Sequence, residues 1–297
     1  MTTPSQTSAR ARKNRSAALA LLPIALGAAA GAWGQDSSSG SALIDEWLST
    51  SDAAKESQPH WMTPVITVTP RLEQEFRYDQ SWQSRPNGVD LDAYGAGKGL
   101  ELIPLPNTEV IIGVPAYQTR STPTLHIEGW ADETLLLKYR LASQNEEHGN
   151  YIVTAFLGIS VPTGNAVFTS HHPAYTPTIA AGKGWGDRNS GFDIQSTLAI
   201  TIPDDARHTL GTPIVWNTAL QAHLLGKLWP ELELNYSHFK EGPNNGKDQW
   251  ALAEGLILGR FQLTSRMRLI IGGAYQEALS SFGTLEHTWL LTARATF

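Results

Sequence analysis

From Arg71 to Phe297 the chain repeats in twos, and that period restricts it more than any other feature. In 151–161, Tyr151, Val153, Ala155, Leu157, Ile159 and Val161 share one face. Thr154, Gly158 and Ser160 share the other, with Ile152 and Phe156 as exceptions. In 192–202, Phe192, Ile194, Leu198, Ile200 and Ile202 oppose Asp193, Gln195, Thr197 and Thr201, broken only by Ser196. Leu135, Leu137, Tyr139 and Leu141 oppose Lys138 and Arg140, and Leu232, Leu234 and Tyr236 oppose Glu231, Glu233 and Asn235. Successive side chains of a strand point to opposite faces, so each stretch reads as a strand with one apolar and one polar face. Gly, Pro, Asn and Asp clusters separate them.

Such alternation fits a soluble sandwich or a barrel. Three features favour the barrel. The second face is charged as well as polar, which suits a wet interior and an apolar exterior. Trp82, Trp130, Trp216, Trp229, Trp250 and Trp289 sit near strand ends, where interfacial aromatic girdles are expected. Short turns at Pro106-Asn107, Gly226-Lys227 and Thr264-Ser265 alternate with longer connections near 84–97, 116–129, 162–174 and 240–249. A membrane strand with its connection uses roughly 19 residues, so residues 71–297 hold about twelve strands. Pro104, Pro115, Pro203, Pro213 and Pro230 fall at or near strand ends, where a missing N–H is tolerated. The expected fold is all-β: an antiparallel up-and-down transmembrane β-barrel of about 12 strands.

Ahead of it, residues 1–34 read as a signal peptide. Arg10, Arg12, Lys13 and Arg15 form a basic front, residues 17–30 an apolar stretch too short to span a bilayer, and Ala32-Trp33-Gly34 a cleavage site. Residues 35–70 are expected to be a flexible periplasmic leader. Residues 36–41 have linker composition, residues 42–48 have room for a helical turn or two with Ile44, Trp47 and Leu48 on one side, and Pro59, Pro64 and Pro70 keep the rest extended. The first 34 residues hold four of the 22 Lys and Arg and none of the 28 Asp and Glu, leaving the remainder at a formal −10. That balance argues against a nucleic-acid partner. There is no cysteine to oxidise in the periplasm.

The segments ADETLLLKYRL (131–141), LGISVPTG (157–164), GKGWG (182–186) and FDIQSTLAITIP (192–203), with GLELIPLPNTEVIIGV (99–114) before them, resemble outer-membrane proteins described as belonging to a meta-pathway of phenol degradation and labelled transporters. The Gly-Asp usual in that family before the Lys-Tyr-Arg strand is here Gly129-Trp130-Ala131-Asp132. The resemblance implies a barrel pore for hydrophobic or aromatic nutrients. The last stretch, with Trp289, Leu291, Ala293, Ala295 and Phe297 on one face, resembles the C-terminal strand that the outer-membrane assembly machinery recognises, with Phe297 as its signal.

On the face expected to point inward lie Glu73, Glu75, Arg77, Asp79, Glu109, Lys138, Arg140, Asp193, Glu231, Glu233, Arg268 and Arg294. They read either as a channel lining that tunes permeation or as a salt-bridge network filling a narrow lumen. The expected function is passive uptake of a small solute across the bacterial outer membrane, the barrel's lipid partner. A closed structural or adhesion barrel with partner-binding outer loops is the alternative, and a barrel hydrolase a third. No catalytic, cofactor or metal residue is expected. Ser237 and His238 are adjacent on a strand and point apart. His171-His172 lack a neighbouring carboxylate, and His223 reads as a hydrogen-bonding lumen residue. Gly95-Ala96-Gly97-Lys98-Gly99 and Gly182-Lys183-Gly184 lack the Ser or Thr and the helix of a phosphate loop and are expected in turns. The sequon Asn235-Tyr236-Ser237 lies within a strand.

Overall fold

The computed structural model describes residues 37–95 and 97–297, so the expected signal peptide lies outside the described residues. Among the described residues, sixteen strands and two helices follow in chain order. Helix α1 (Ser37–Glu56) precedes β1 (Glu75–Arg85), β2 (Val89–Tyr94), β3 (Gly97–Leu105), β4 (Thr108–Val114), β5 (Tyr117–Ser121), β6 (His126–Trp130), β7 (Glu133–Gln144) and β8 (Tyr151–Val161). Then come β9 (Ala174–Gly186), β10 (Gly191–Ile200), β11 (Ile202–Pro203), α2 (Arg207–Leu210), β12 (Thr212–His223), β13 (Leu228–Lys240), β14 (Lys247–Gln262), β15 (Arg268–Ala278) and β16 (His287–Thr296). Residues Ile44–Phe297 form one compact unit.

Every ladder is antiparallel, and β16 pairs with β1 from Glu75↔Thr296 to Ser84↔His287, which closes the sheet. Some strands are pieces of one stave. β1 pairs with β3 over Glu75–Arg77 and with β2 over Gln80–Arg85. Similarly, β4 leads into β5 past Pro115, and β6 into β7 past Asp132. Counted by stave, the closed barrel has 12 strands, as the length argument expects. Its near end holds the start of β1 and the end of β16; the opposite end is called the far end below.

Packing is inside out. Leu137, Leu157, Ile179, Ile194, Leu220, Leu232, Leu256, Ile271 and Leu291 lie exposed on the outer surface, while their chain neighbours Lys138, Asp193, Gln221, Glu231, Glu233 and Thr292 are buried. Aromatic side chains border this apolar band at both ends. Tyr117–Trp130, Trp216–Trp250 and Tyr275–Trp289 contact one another toward the far end, and Trp185 stacks on Phe192 at the near end. Trp229, expected in a girdle, is fully buried and stacked on His223 at 4.8 Å inside the barrel. It shares the phase of Glu231 and Glu233, and strand phase outweighs position near a strand end. The outward polar exception Ser196 satisfies itself locally. It accepts from Trp216 Nε1 at 2.9 Å and donates to the Asn217 carbonyl at 3.1 Å, as a hydroxyl facing hydrocarbon must.

The three short turns lie at the near end. Of the four connections expected to be long, 162–174 and 240–249 contain loops, but 84–97 and 116–129 are the hairpins β1–β2 and β5–β6. Asn87 and Gly88, with φ of 68° and 69°, allow the first to reverse tightly, so its strands run on instead of fraying. The glycine runs are also strand residues and not turns. Gly97, Lys98 and Gly99 start β3, and Gly182-Lys183-Gly184 lies inside β9; Ala96 lies outside the described residues.

The greatest departure concerns residues 35–70. Helix α1 is longer than the expected turn or two, and Trp47 Nε1 donates to the Ile103 carbonyl at 2.7 Å. After it, residues 58–74 are not a flexible leader. Nearly all are buried, and the segment runs from the near end into the barrel and back out to the start of β1. Pro59, Pro64 and Pro70 keep it irregular, so its backbone groups do not pair among themselves. Some meet its own side chains, as the Pro59 carbonyl meets Arg71 Nε at 2.6 Å and both backbone groups of Leu72 meet Gln58, and most of the others turn to the wall.

Candidate functional site

The lumen wall supplies those partners side chain by side chain. Val65 N–H donates to Glu231 at 3.0 Å, and Ile66 and Thr67 N–H donate to Glu233 at 2.8 and 2.5 Å. Arg294 donates to the carbonyls of Thr63 and Pro64 at 2.5 and 3.0 Å, and Arg77 to that of Val65 at 2.6 Å. Lys138 reaches the Arg71 carbonyl at 3.0 Å and Thr154 the Pro70 carbonyl at 2.6 Å. Gln195 donates to the Met62 carbonyl at 2.9 Å and accepts from Thr69 Oγ1 at 2.6 Å. Glu109 accepts from Glu73 N–H at 2.8 Å. Arg260 donates to the carbonyls of His60 and Trp61 at 2.5 and 3.0 Å. These groups come from β1, β4, β7, β8, β10, β13, β14 and β16, so the segment is gripped all round the bore. Carboxylates meet N–H groups and guanidinium groups meet carbonyls, which are the stronger, charge-assisted bonds.

Apolar contact is narrower. Met62 and Val65 pack on Trp229, Ile257, Ile270 and Ala274, with Ile66 and Leu290 at the margin. This strip runs over β13 to β16, facing a charged wall on β1, β3, β4 and β7. Trp61 fits against β9 because Gly182 and Gly184 lack side chains: a Cβ on Gly182 would lie 2.5 Å from the indole. Trp61 Nε1 donates to Asn150 Oδ1 at 2.9 Å. Gly255 makes room for the Glu231 carboxylate in the same way.

Ten of the twelve expected lumen residues are buried: Glu73, Glu75, Arg77, Glu109, Lys138, Arg140, Asp193, Glu231, Glu233 and Arg294. Asp79 is half-buried and pairs with Arg77 at 2.8 Å. Arg268 is exposed, because it is the first residue of its strand, at the near rim. Glu73 belongs to the inserted segment, not the wall. Arg140 reaches the Ala54 carbonyl at the end of α1 at 2.8 Å, and Asp193 Oδ1 accepts from Gln195 at 2.9 Å. Lys138 pairs with Glu109 at 3.1 Å. The twelve omit Thr154, Gln195, Glu101 and Arg260. The first three lie in phase and were legible as such. Arg260 has φ 58° at a register break between Gly259 and Phe261, so counting in twos misses it.

At the near rim the chain is latched. Glu146, in the β7–β8 connection, accepts from His60 N–H at 2.5 Å and lies 2.8 Å from His60 Nδ1. Burial works against the Glu146 charge, but the bonds from the His60 side chain and backbone hold its pKa at about 2. Arg266 bridges Asp52 at 2.9 Å, Arg188 pairs with Glu56, and Lys55 donates to the Phe297 carbonyl at 3.0 Å.

At the far rim Asp132 anchors the β8–β9 loop, accepting from Gly164 N–H, Ser170 N–H and Ser170 Oγ at 2.8–3.0 Å. Burial opposes its charge, yet these donors keep its pKa below the usual carboxylate range. Ser237 and His238 belong to opposite faces of β13, and His238 Nδ1 lies 2.9 Å from Asp248 on the outer one. Among the described residues no group of three or more His, Asp or Glu could hold a metal ion.

No family model and no curated protein matches the chain. Solved structures similar to it include the NanC porin (TM-score 0.42, 10% identity, covering 74% of this chain and 98% of that one) and the KdgM porin (0.43, 7%, 74% and 99%). An outer membrane channel from Pseudomonas putida F1 is also similar, with TM-score 0.46, 13% identity and coverage of 74% and 93%.

Proposed function

We infer that this chain is an outer-membrane β-barrel channel for passive uptake of a small hydrophobic or aromatic solute, held closed in this conformation by its own residues 58–74. The exposed apolar band and its aromatic borders support the membrane location, with lipid as the partner of the outer face. One observation carries the channel reading: the wall holds the inserted segment mainly by ionisable and amide side chains bonded to its backbone. Those groups exchange readily with water, so a hydrated path can replace the segment at modest cost, whereas an apolar core could not be emptied so. With the segment withdrawn, the strip of Trp229, Ile257, Ile270, Ala274 and Leu290 would face the charged wall. A lumen of that kind suits a solute with an apolar or aromatic body, in line with the resemblance to phenol-degradation barrels.

The filled near half equally favours a second reading, a closed structural barrel. Planar-bilayer recording separates the two. The full chain is compared with a variant whose residues 59–70 are replaced by Gly and Ser, and with E231Q/E233Q, each checked for the heat-modifiable gel migration of a folded barrel. The channel reading expects rare openings from the full chain and larger or more frequent ones from both variants. Folded variants that pass no current would establish the closed barrel.

A further inference from the structure

The far half of the lumen differs in one respect that the channel reading leaves unused. The registers Gln83↔Leu91, Leu91↔Arg120 and Arg120↔Ile127 put these residues, with Arg85, on the inner face of β1, β2, β5 and β6. The β8–β9 loop, anchored by Asp132, carries Phe168 over them. The Arg120 guanidinium lies 5.4 Å from the Phe168 ring centre, and a Cβ on Gly129 would lie 3.0 Å from that ring. Arg85 donates to Gln83 Oε1 at 2.5 Å, and its charge and that of Arg120 are close enough to interact. Neither arginine forms an ion pair with a described residue, and Arg120 Nε is buried without a hydrogen-bond partner. In the near half, by contrast, Arg71, Arg77 and Lys138 each face a carboxylate at 2.8–3.1 Å.

Two half-buried guanidinium groups without a counter-charge repel each other and attract an anion. Their planar donor forks match a carboxylate, while the half-buried Phe168 and Ile127 offer apolar surface to the rest of a ligand. We propose that Arg85 and Arg120, beneath Phe168, form a binding site for a small organic anion with a flat apolar body, of which an aromatic carboxylate is the simplest example. The site names a solute class for the channel and rests on the channel reading only for where the ligand goes next.

The test is calorimetric titration of the refolded full chain in detergent at low salt with benzoate, benzyl alcohol and sulfate. Benzoate is expected to bind more tightly than either of the others. R85Q/R120Q should weaken benzoate roughly tenfold or more and leave benzyl alcohol unchanged, while R85K/R120K, which keeps the charges but loses the planar forks, should fall between the two. Gel migration confirms that each variant is folded. No benzoate binding to folded wild type, or equal binding to R85Q/R120Q, would overturn the site; sulfate binding as tightly as benzoate would overturn its aromatic part. A protein that binds benzoate but never conducts keeps the site and loses the channel, and one that conducts without binding benzoate does the reverse.

Discussion

The two halves of the lumen are lined by the same residue types and used differently. In the near half a buried segment answers the wall: Glu231, Glu233, Arg77, Arg294 and Lys138 each hold one or two of its backbone groups. In the far half Gln83, Arg85 and Arg120 are half-buried, and the two arginines form no ion pair with a described residue. Charge on a lumen wall therefore does not by itself mark a water-filled pore. What it does depends on whether another part of the chain offers it unpaired N–H and C=O groups.

The comparison can be broken most severely at Glu233. Replacement by Ala leaves the Ile66 and Thr67 N–H groups buried without acceptors, at about 1–3 kcal/mol each. Urea unfolding in lipid vesicles, followed by tryptophan fluorescence, should show a loss of roughly 3 kcal/mol, or, if the segment escapes to water, rapid proteolysis within residues 58–70. An unchanged midpoint and unchanged proteolysis would contradict the grip. G182V comes next. Its side chain would collide with Trp61, and overpacking of this kind costs about 1–3 kcal/mol; a red-shifted emission should report Trp61 pushed toward water.

The third effect is smaller and depends on pH. The Glu146 pKa of about 2 lies below its unfolded value of ~4.3. Its contribution is therefore complete above that unfolded value and is lost as pH falls toward the folded one. Cleavage by an acid protease between residues 57 and 62 should quicken as pH drops from 5 toward about 2, and E146Q should already cleave quickly at pH 5. The smallest effect belongs to the exposed latch of Arg188 with Glu56, where R188A should cost under about 1 kcal/mol, weaker still in high salt.

The barrel was legible because hydrocarbon demands apolarity at every second position, and Leu232, Leu234 and Tyr236 cannot meet it by chance alongside Glu231 and Glu233. Length then supplied the strand number. Where position was used in place of phase, as at Trp229, the expectation failed. Where a bulge changed the phase, as at Arg260, counting was blind. The inserted segment was hidden for another reason. Nothing in Trp61-Met62-Thr63-Pro64-Val65 says where it lies, because its partners Glu231 and Arg294 are 166 and 231 residues distant. Of the candidate site, the charged residues were visible, but the groups they bind were not.

The central claim is that residues 58–74 occupy the near half of the lumen. Because the chain has no cysteine, single substitutions Met62→Cys and Leu125→Cys can be labelled cleanly with a bulky, membrane-impermeant maleimide in the folded protein. Leu125, exposed in the far β5–β6 turn, should react at once, and Met62, buried between the segment and the wall, only when the barrel is unfolded. Equal labelling rates at the two positions in the folded barrel would contradict the account.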